Sequence, residues 1–404
     1  MPTKHDGLFA RVANFQALLA AAKRAIRGKR KKPGGAAFMA NLETELLSLE
    51  RELRGATYKP GRYVKIELFD PKHRIVSAAP FRDRVVHHAL CDVVDPIFAS
   101  GFIAHSFANQ TGKGTHRAVA AYERYRDRHA HVLRCDIFRY FPAIDHAVLK
   151  HDFRRRIACS RTLTLMDKIV DGSNPQEPVN LHFPGDDLFA PFQRRRGLPI
   201  GNLTSQFFAN LYLDPLDHYV TEVLRAPYVR YVDDFALFHD DPHVLDCWRG
   251  QIANFLEVRR LRLHPKKTFI VATAAPAEFL GFVLLPGGRR RLPEGNIRRF
   301  RNRLRSLRDQ WRAGSIERGD IEQRVGAWIA HASHADTWRL RHAIFEDGWF
   351  DPSSGPGQPP VATAFSVAVP GTIIPGTPAP PTATGTTTTV TPTMGSASPA
   401  RLHA

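Results

Sequence analysis

The stretch YVRYVDDFALF, residues 228–238, constrains this chain most. It is built from Tyr, Val, Phe, Ala and Leu, the residues of a half-buried or buried strand, yet Asp233 and Asp234 interrupt it. Aspartate forms strands poorly and is costly to bury without a partner. Two strands, YVRYV and FALF, joined by a turn that holds both carboxylates at an exposed tip, resolve the conflict. Acidic pairs are also ordinary turn chemistry, so the pair alone does not establish a site. A second stretch repeats the pattern. VLRCDIF, residues 132–138, places Asp136 at the end of another apolar strand, about 100 residues upstream. Two strand ends bearing aspartates can converge on divalent cations, and hard Mg2+ takes oxygen ligands while keeping water and substrate phosphates in its shell.

Charge points to the substrate of such a site. The 404 residues carry a formal net charge of +18, and after residue 350 the only Asp, Glu, Lys or Arg residues are Asp351 and Arg401. The excess therefore sits on the first 350 residues, as expected of a chain that meets a polyanion such as nucleic acid or an anionic membrane. Within NIRRFRNRLRSLRDQW, residues 296–311, Phe300, Leu304, Leu307 and Trp311 form one apolar helical face. Arg298, Arg299, Arg301, Arg303, Arg305 and Arg308 occupy the remainder, a distribution suited to phosphate contact. No run approaches the 18 apolar residues of a membrane span, so no membrane is expected as partner. The four cysteines (Cys91, Cys135, Cys159 and Cys247) lack zinc-site spacing and fit a reducing cytoplasm.

The remaining pattern predicts helices over 8–58, with Leu42, Leu46, Leu49 and Leu53 as a core stripe. A hairpin around DPKH, residues 70–73, comes next, and then helices over 81–126. A loop-rich stretch spans 171–199, and helices are expected at 204–224 and 242–260. Two short strands follow near 268–285, then basic helices over 296–345. From Asp351 onward the chain is rich in Pro, Thr, Gly, Ala and Ser, a composition expected to stay disordered.

Six blocks in order carry a family resemblance over roughly residues 40–345. They are PFRDRVVHHAL (80–90), HSFANQTGKGTHRAV (105–119), DIFRYFPAIDH (136–146), YVDD (231–234), LRLHPKKTFIV (261–271) and EFLGFVLL (278–285). Together they resemble reverse transcriptases of the bacterial and phage retroelement, group II intron-like type. The resemblance implies an α+β right-hand polymerase. Its parts would be an N-terminal helical region over 1–58, fingers over 59–130, and a palm with an antiparallel sheet over 131–285. The palm carries a fingers-side insertion at 152–199, and a helical basic thumb over 290–350 precedes the disordered tail, 351–404.

Roles follow position by position. Asp136 and Asp233 resemble the principal ligands of two Mg2+ ions, with Mn2+ as a substitute, and the Ile137 carbonyl resembles a backbone ligand. Asp234 is the neighbouring acid. Phe141 falls where the family places a steric gate against the 2′-hydroxyl, with a core phenylalanine as the alternative. Arg74, with Lys72 or Lys65, falls where finger residues grip the dNTP triphosphate, or is an exposed hairpin charge. Lys267 is the candidate proton donor to pyrophosphate, with Lys266 able to substitute. Phe279, Leu280 and Gly281 would shape the primer grip, where a strand bulge also explains the glycine. Arg298, Arg299, Arg301, Arg305 and Arg308 would contact template RNA and the cDNA or DNA primer.

The block GLPIGNLTSQ, residues 197–206, narrows the resemblance. Its form, Ile200-Gly201 followed by Ser205-Gln206, is similar to that of diversity-generating retroelements, where many other reverse transcriptases carry glutamine at the isoleucine position. Glutamine there can hydrogen-bond the incoming nucleotide, whereas isoleucine offers shape alone. Loss of one contact worth ~1–3 kcal/mol loosens discrimination about tenfold. Ile200 and Gln206 are therefore candidate determinants of error-prone copying, against the alternative that Ile200 packs core. The resemblance implies copying of a template-repeat RNA into adenine-mutated cDNA for mutagenic retrohoming into a variable repeat. It also implies a small basic oligomeric accessory protein as partner. A retron or phage-defence enzyme of the same chemistry is the alternative, and an inactive RNA-binding scaffold the remote one.

Overall fold

A computed structural model describes residues 3–30, 32–69, 73–173 and 179–345. Lys72, most of the DPKH turn, residues 346–350 and the tail expected to be disordered lie outside the described residues. Among the described residues, three antiparallel sheets are arranged among helices, a mixed architecture in keeping with the α+β class that the resemblance implies.

The central sheet is built from β3 (His131–Asp136), β4 (Tyr228–Tyr231), β5 (Asp234–His239) and β6 (Phe269–Ala272), in the order β4-β5-β3-β6. The two preceding strands, β1 (Val64–Leu68) and β2 (Arg74–Ala78), form a separate hairpin. Three short strands, β7 (Ala277–Phe279), β8 (Phe282–Leu284) and β9 (Arg290–Arg291), form the third sheet. The expected pair of strands at 268–285 is thus three, the first of them an edge of the central sheet.

Period-two alternation explains why β3 and β5 read as nearly continuous apolar runs. Leu133, Cys135, Phe235 and Leu237 join the larger core with helices Phe81–Ala99, Leu203–His218 and Pro242–Val258. Val132, Ala236 and Phe238 face the other way, into a cluster with Val119 and Tyr122 of helix Thr115–Arg126 and with Phe279 and Phe282. Both sheet faces are covered, so both sets of side chains are apolar.

The N-terminal region is four helices. Asn14 caps Phe15–Ala25 by accepting a hydrogen bond from Ala17 N at 2.9 Å. Leu18, Ala21, Ala22 and Ala25 on that helix are buried in the larger core. The leucine stripe behaves as expected at Leu46, Leu49 and Leu53, which are buried, whereas Leu42 is only partly so. Helix Leu203–His218 ends in a π-helical turn, Tyr219–Val223, where a continuous helix is expected. At the C-terminal side, Glu294–Arg312 buries Phe300, Leu304 and Leu307 with Ile321, Val325 and Ile329 of Arg318–Ala332. Phe300 stacks on Trp328 with ring centroids 3.7 Å apart.

The β1–β2 hairpin is joined to the body through the segment after Leu198. Ser77 N donates to Ile200 O at 3.1 Å. The buried Asn202 side chain donates to Ser77 O at 2.7 Å and accepts from Ala79 N at 3.1 Å. Gly201 sits at φ +104°, and a Cβ there would lie 2.7 Å from Val76 Cγ1, so glycine is required by both torsion and space. All five residues of β1 are exposed, which leaves β2 and Asn202 to hold the hairpin. Asn202→Ala is expected to speed amide hydrogen exchange across residues 74–79 by at least tenfold while leaving β3 and β5 protected, measured by mass spectrometry.

Candidate active site

The register of β3 against β5 sets Asp136 opposite Asp234. The hairpin closes through Val232 and Asp233, with Tyr231 paired to Asp234. The pair is therefore not an exposed tip, as the sequence suggests. Asp233 occupies the turn, whereas Asp234 opens β5, and both are half-buried because β3 lies alongside. Neighbouring strands are about 4.8 Å apart, so a residue at a strand end beside another strand loses much of its water.

The backbone around Asp136 is held from two sides. Ile137 N donates to Asp233 O at 3.2 Å. On the other side, Phe138 N donates to Arg262 O at 2.8 Å and His264 N donates to Asp136 O at 2.7 Å. The segment 262–264 thus carries Lys267 to the site, where its ammonium pairs with Asp136 Oδ2 at 2.8 Å. Lys266 is exposed, and its amide N–H turns back to the His264 ring. Of the two candidate lysines, Lys267 is the one paired with Asp136. Asp145, the other aspartate of DIFRYFPAIDH, caps helix His146–Arg154 through Ala147 N and Val148 N, a structural role.

The Asp234 carboxyl is perturbed by its surroundings. Burial pushes the Asp234 carboxyl up to about 6; Asp233 and Asp136 add to the rise, and Arg134 and Lys267 oppose it. Among the described residues, no three His, Cys, Asp or Glu side chains form a ready-made metal cage. The donors nevertheless suit a hard divalent ion in kind. Such an ion at a nucleotide site takes one or two carboxylates and completes its shell with water and substrate phosphates. A cation there would also relieve the repulsion that raises Asp234.

The other sequence-predicted residues fall in three groups. Phe141 is partly buried against the larger core and stacks edge-on to Tyr140. Its carbonyl accepts from Leu198 N at 2.9 Å, which ties it to the segment carrying Ile200. Ile200 is half-buried and lies outside the three apolar clusters, contrary to the core-packing alternative. Gln206 lies in the first turn of Leu203–His218 and is half-buried. Lys65 is exposed on β1, and Arg74 opens β2 opposite Leu68.

Phe279, Leu280, Gly281 and Phe282 make a two-residue hairpin turn, with φ +47° at Leu280 and +86° at Gly281. Positive φ at both central positions is the turn that suits twisted strands, so a bulge is not the reason for Gly281. Arg298, Arg299, Arg301, Arg303 and Arg305 are exposed along Glu294–Arg312, while Arg308 is half-buried beside Asp309.

Two charged residues escaped the sequence reading. Arg230 on β4 and Asp217 on Leu203–His218 are 1% and 0% exposed and form an ion pair beside the Val232–Asp233 turn. Their signal was present as opposite charges at core-facing positions in YVRYV and LDPLD, but nothing in one sequence pairs them.

Residues 60–284 match the reverse transcriptase (RNA-dependent DNA polymerase) family, more than half of the chain, and the chain belongs to that family. The matched span runs from before β1 to the end of β8 and includes Asp136, Asp233, Asp234 and Lys267. The family implies a palm-type polymerase fold, and its members use divalent metal ions. The chain is also similar to protein YkfC of Escherichia coli (strain K12), at 27% identity over 166 residues. That alignment covers 40% of this chain and 41% of YkfC, so it spans less than half of the relative. No helix among the described residues is long and apolar enough to cross a membrane.

Because folding raises the Asp234 pKa above its ordinary value, ionising it costs stability. The cost is absent below about pH 4, grows as pH rises toward 6 and is complete above that. Without divalent ions, Asp234→Asn is therefore expected to stabilise the protein by about 1–3 kcal/mol at pH 7.5 and by almost nothing at pH 4. Urea unfolding at the two pH values measures this.

Proposed function

We propose that the chain is an RNA-directed DNA polymerase whose catalytic centre is Asp136, Asp233, Asp234 and Lys267. The observation that carries the reading is the β3–β5 register, which sets Asp136 opposite Asp234 with Asp233 next to it, inside the span matched to the reverse transcriptase family. In this reading the hairpin β1–β2 and the helices around it are fingers, the central sheet is the palm, and the helices from Glu294 onward are the thumb. Template RNA, a cDNA or DNA primer and dNTPs are the substrates.

Asp136, Asp233, Asp234 and the Ile137 carbonyl would hold Mg2+, for which Mn2+ can stand in. Bound there, the ions would activate the primer 3′-hydroxyl and neutralise the pyrophosphate leaving group. Lys267 carries an ammonium within the same cluster and is the proton donor to the departing pyrophosphate. Phe141, held by Leu198, lies under the sugar and excludes a 2′-hydroxyl. Arg74, with Lys72 or Lys65, grips the triphosphate. The turn Phe279-Leu280-Gly281 guides the primer end. The arginine face of Glu294–Arg312, namely Arg298, Arg299, Arg301, Arg305 and Arg308, follows the duplex backbone. Its net positive charge supports this reading, because each neutralised phosphate releases counterions.

The finer proposal is the diversity-generating subtype. Its support is the block Ile200-Gly201-Asn202-Leu203-Thr204-Ser205-Gln206 and the half-buried place of Ile200 outside the apolar clusters. An isoleucine beside the incoming base cannot donate or accept a hydrogen bond, so mismatched pairs are rejected by shape alone. The product would be adenine-mutated cDNA from a template-repeat RNA, destined for a variable repeat, with a small basic oligomeric protein assisting in the cytoplasm.

Asp136→Asn or the double change Asp233→Ala/Asp234→Ala is expected to abolish dNTP incorporation on an RNA template. Lys267→Ala should slow it by about 10²–10³-fold. Full incorporation by the aspartate variants would overturn the polymerase reading. Sequencing of cDNA copied from a defined RNA is expected to show errors concentrated at template adenines, reduced about tenfold by Ile200→Gln. Errors spread evenly over the four bases would remove the diversity-generating proposal and leave the polymerase in place.

A further inference from the structure

The turn that carries Asp233 is built from an unfavourable residue. Val232 has φ +59°, at the first of two turn positions, where two-residue hairpins ordinarily use glycine. A β-branched side chain is a poor occupant of the left-handed region, and such a conformation persists only where surrounding contacts over-determine it. The contact is present. Arg230 Nη1 donates to Val232 O at 3.0 Å and to Asn210 Oδ1 at 3.4 Å. The same guanidinium is locked from its other edge, with Nε donating to Asp217 Oδ1 at 2.6 Å and Nη2 to Asp217 Oδ2 at 2.5 Å. Tyr228 OH donates to Asp217 Oδ1 at 2.9 Å, and the Arg230 backbone is held by His105 O and Phe107 N at 3.0 Å each.

Burying an ion pair is often no more stabilising than packing apolar side chains of the same volume. A fully buried pair beside a reactive turn therefore calls for a geometric role. Arginine has one here that lysine cannot fill: its planar fork reaches the carboxylate along one edge and a backbone carbonyl along the other. The peptide before Asp233 is thus fastened to Arg230, and the carbonyl after it to Ile137 N. Helix Leu203–His218, which supplies Asn210 and Asp217, also carries Ser205 and Gln206, so one rigid element supports both the turn and the nucleotide-side block.

We propose that Arg230 and Asp217 are positioning residues for the reaction: they hold Val232 in its left-handed conformation and so aim the Asp233 carboxylate toward Asp136 and Asp234, where it would hold Mg2+. The inference rests on the polymerase reading above. It makes a specific demand, because the clamp is needed only while position 232 is strained. Glycine at 232 adopts positive φ freely and relaxes the demand.

The test compares the wild-type chain, Arg230→Lys and Arg230→Lys/Val232→Gly. Each is assayed for single-turnover dNTP incorporation per burst-titrated active site over a range of MgCl2. Arg230→Lys keeps the buried charge pair but loses the reach to Val232 O. It is expected to lower the rate per active site by 10–100-fold and to raise the half-saturating Mg2+ concentration several-fold. Adding Val232→Gly is expected to recover at least fivefold of the rate and to return the Mg2+ dependence toward wild type. A merely structural role would reduce the amount of active enzyme and leave both per-site quantities unchanged. Unchanged per-site values in Arg230→Lys, or no recovery with glycine at 232, would overturn the proposal. Asp217→Asn, which keeps volume and an acceptor for Arg230, is tested with Val232→Gly in the same way should Arg230→Lys not fold. A wild-type chain that incorporates nothing would instead overturn the polymerase reading and this inference together.

Discussion

The antiparallel register of β3 against β5 is the constraint on which the site depends. These strands are separated by almost one hundred residues of chain, yet six consecutive pairs align and end at Asp136 opposite Asp234. A slip of β3 by one residue would turn Leu133 and Cys135 out of the larger core, and a slip of β5 would do the same to Phe235 and Leu237. The hydrophobic pattern therefore sets the position of the carboxylates without any direct attraction between them. Indeed they repel, and burial keeps Asp234 reluctant to ionise. The chain tolerates this because apolar packing on both faces of the sheet fixes the backbone.

Around that register, local devices compensate for local costs. Lys267 places a positive charge on Asp136 from the segment that hydrogen-bonds to the end of β3. Arg230 and Asp217 meet a left-handed valine with a buried fork of hydrogen bonds. Asn202 stitches an otherwise exposed hairpin to the segment that carries Ile200. The lysine and asparagine devices join elements more than one hundred residues apart, whereas the arginine fork joins a strand to the helix 13 residues before it. Rigid elements with short supporting contacts are what a polymerase centre requires, because small misplacements of reacting groups are expensive.

Legibility in the sequence followed the range of the interaction concerned. Helices with a strong apolar stripe, such as Leu46-Leu49-Leu53 and Phe300-Leu304-Leu307, were readable because period and burial are local properties. The strand ends bearing Asp136 and Asp233 were readable for the same reason. The sequence suggests an exposed aspartate pair because a hairpin considered alone has a free tip, and only its neighbour β3 buries it. Gly281 was ambiguous between a bulge and a turn until the pairing of Phe279 with Phe282 settled the count of residues between the strands. The choice between Lys266 and Lys267 depended on which side chain returns to Asp136, a fact of tertiary direction.

By itself, the sequence determined the classes of element, the apolar faces, the basic helix and the acidic residues at the ends of apolar strands. These follow from residue chemistry and periodicity within a few turns of chain. Tertiary structure alone decided that Asp136 meets Asp234, that Lys267 and not Lys266 pairs with it, and that Arg230 and Asp217 share one buried fork beneath Val232. The physical reason is common to all three. A strand carries its side-chain pattern in its own sequence, but its partner, register and nearest charges are set by packing free energy summed over the whole core.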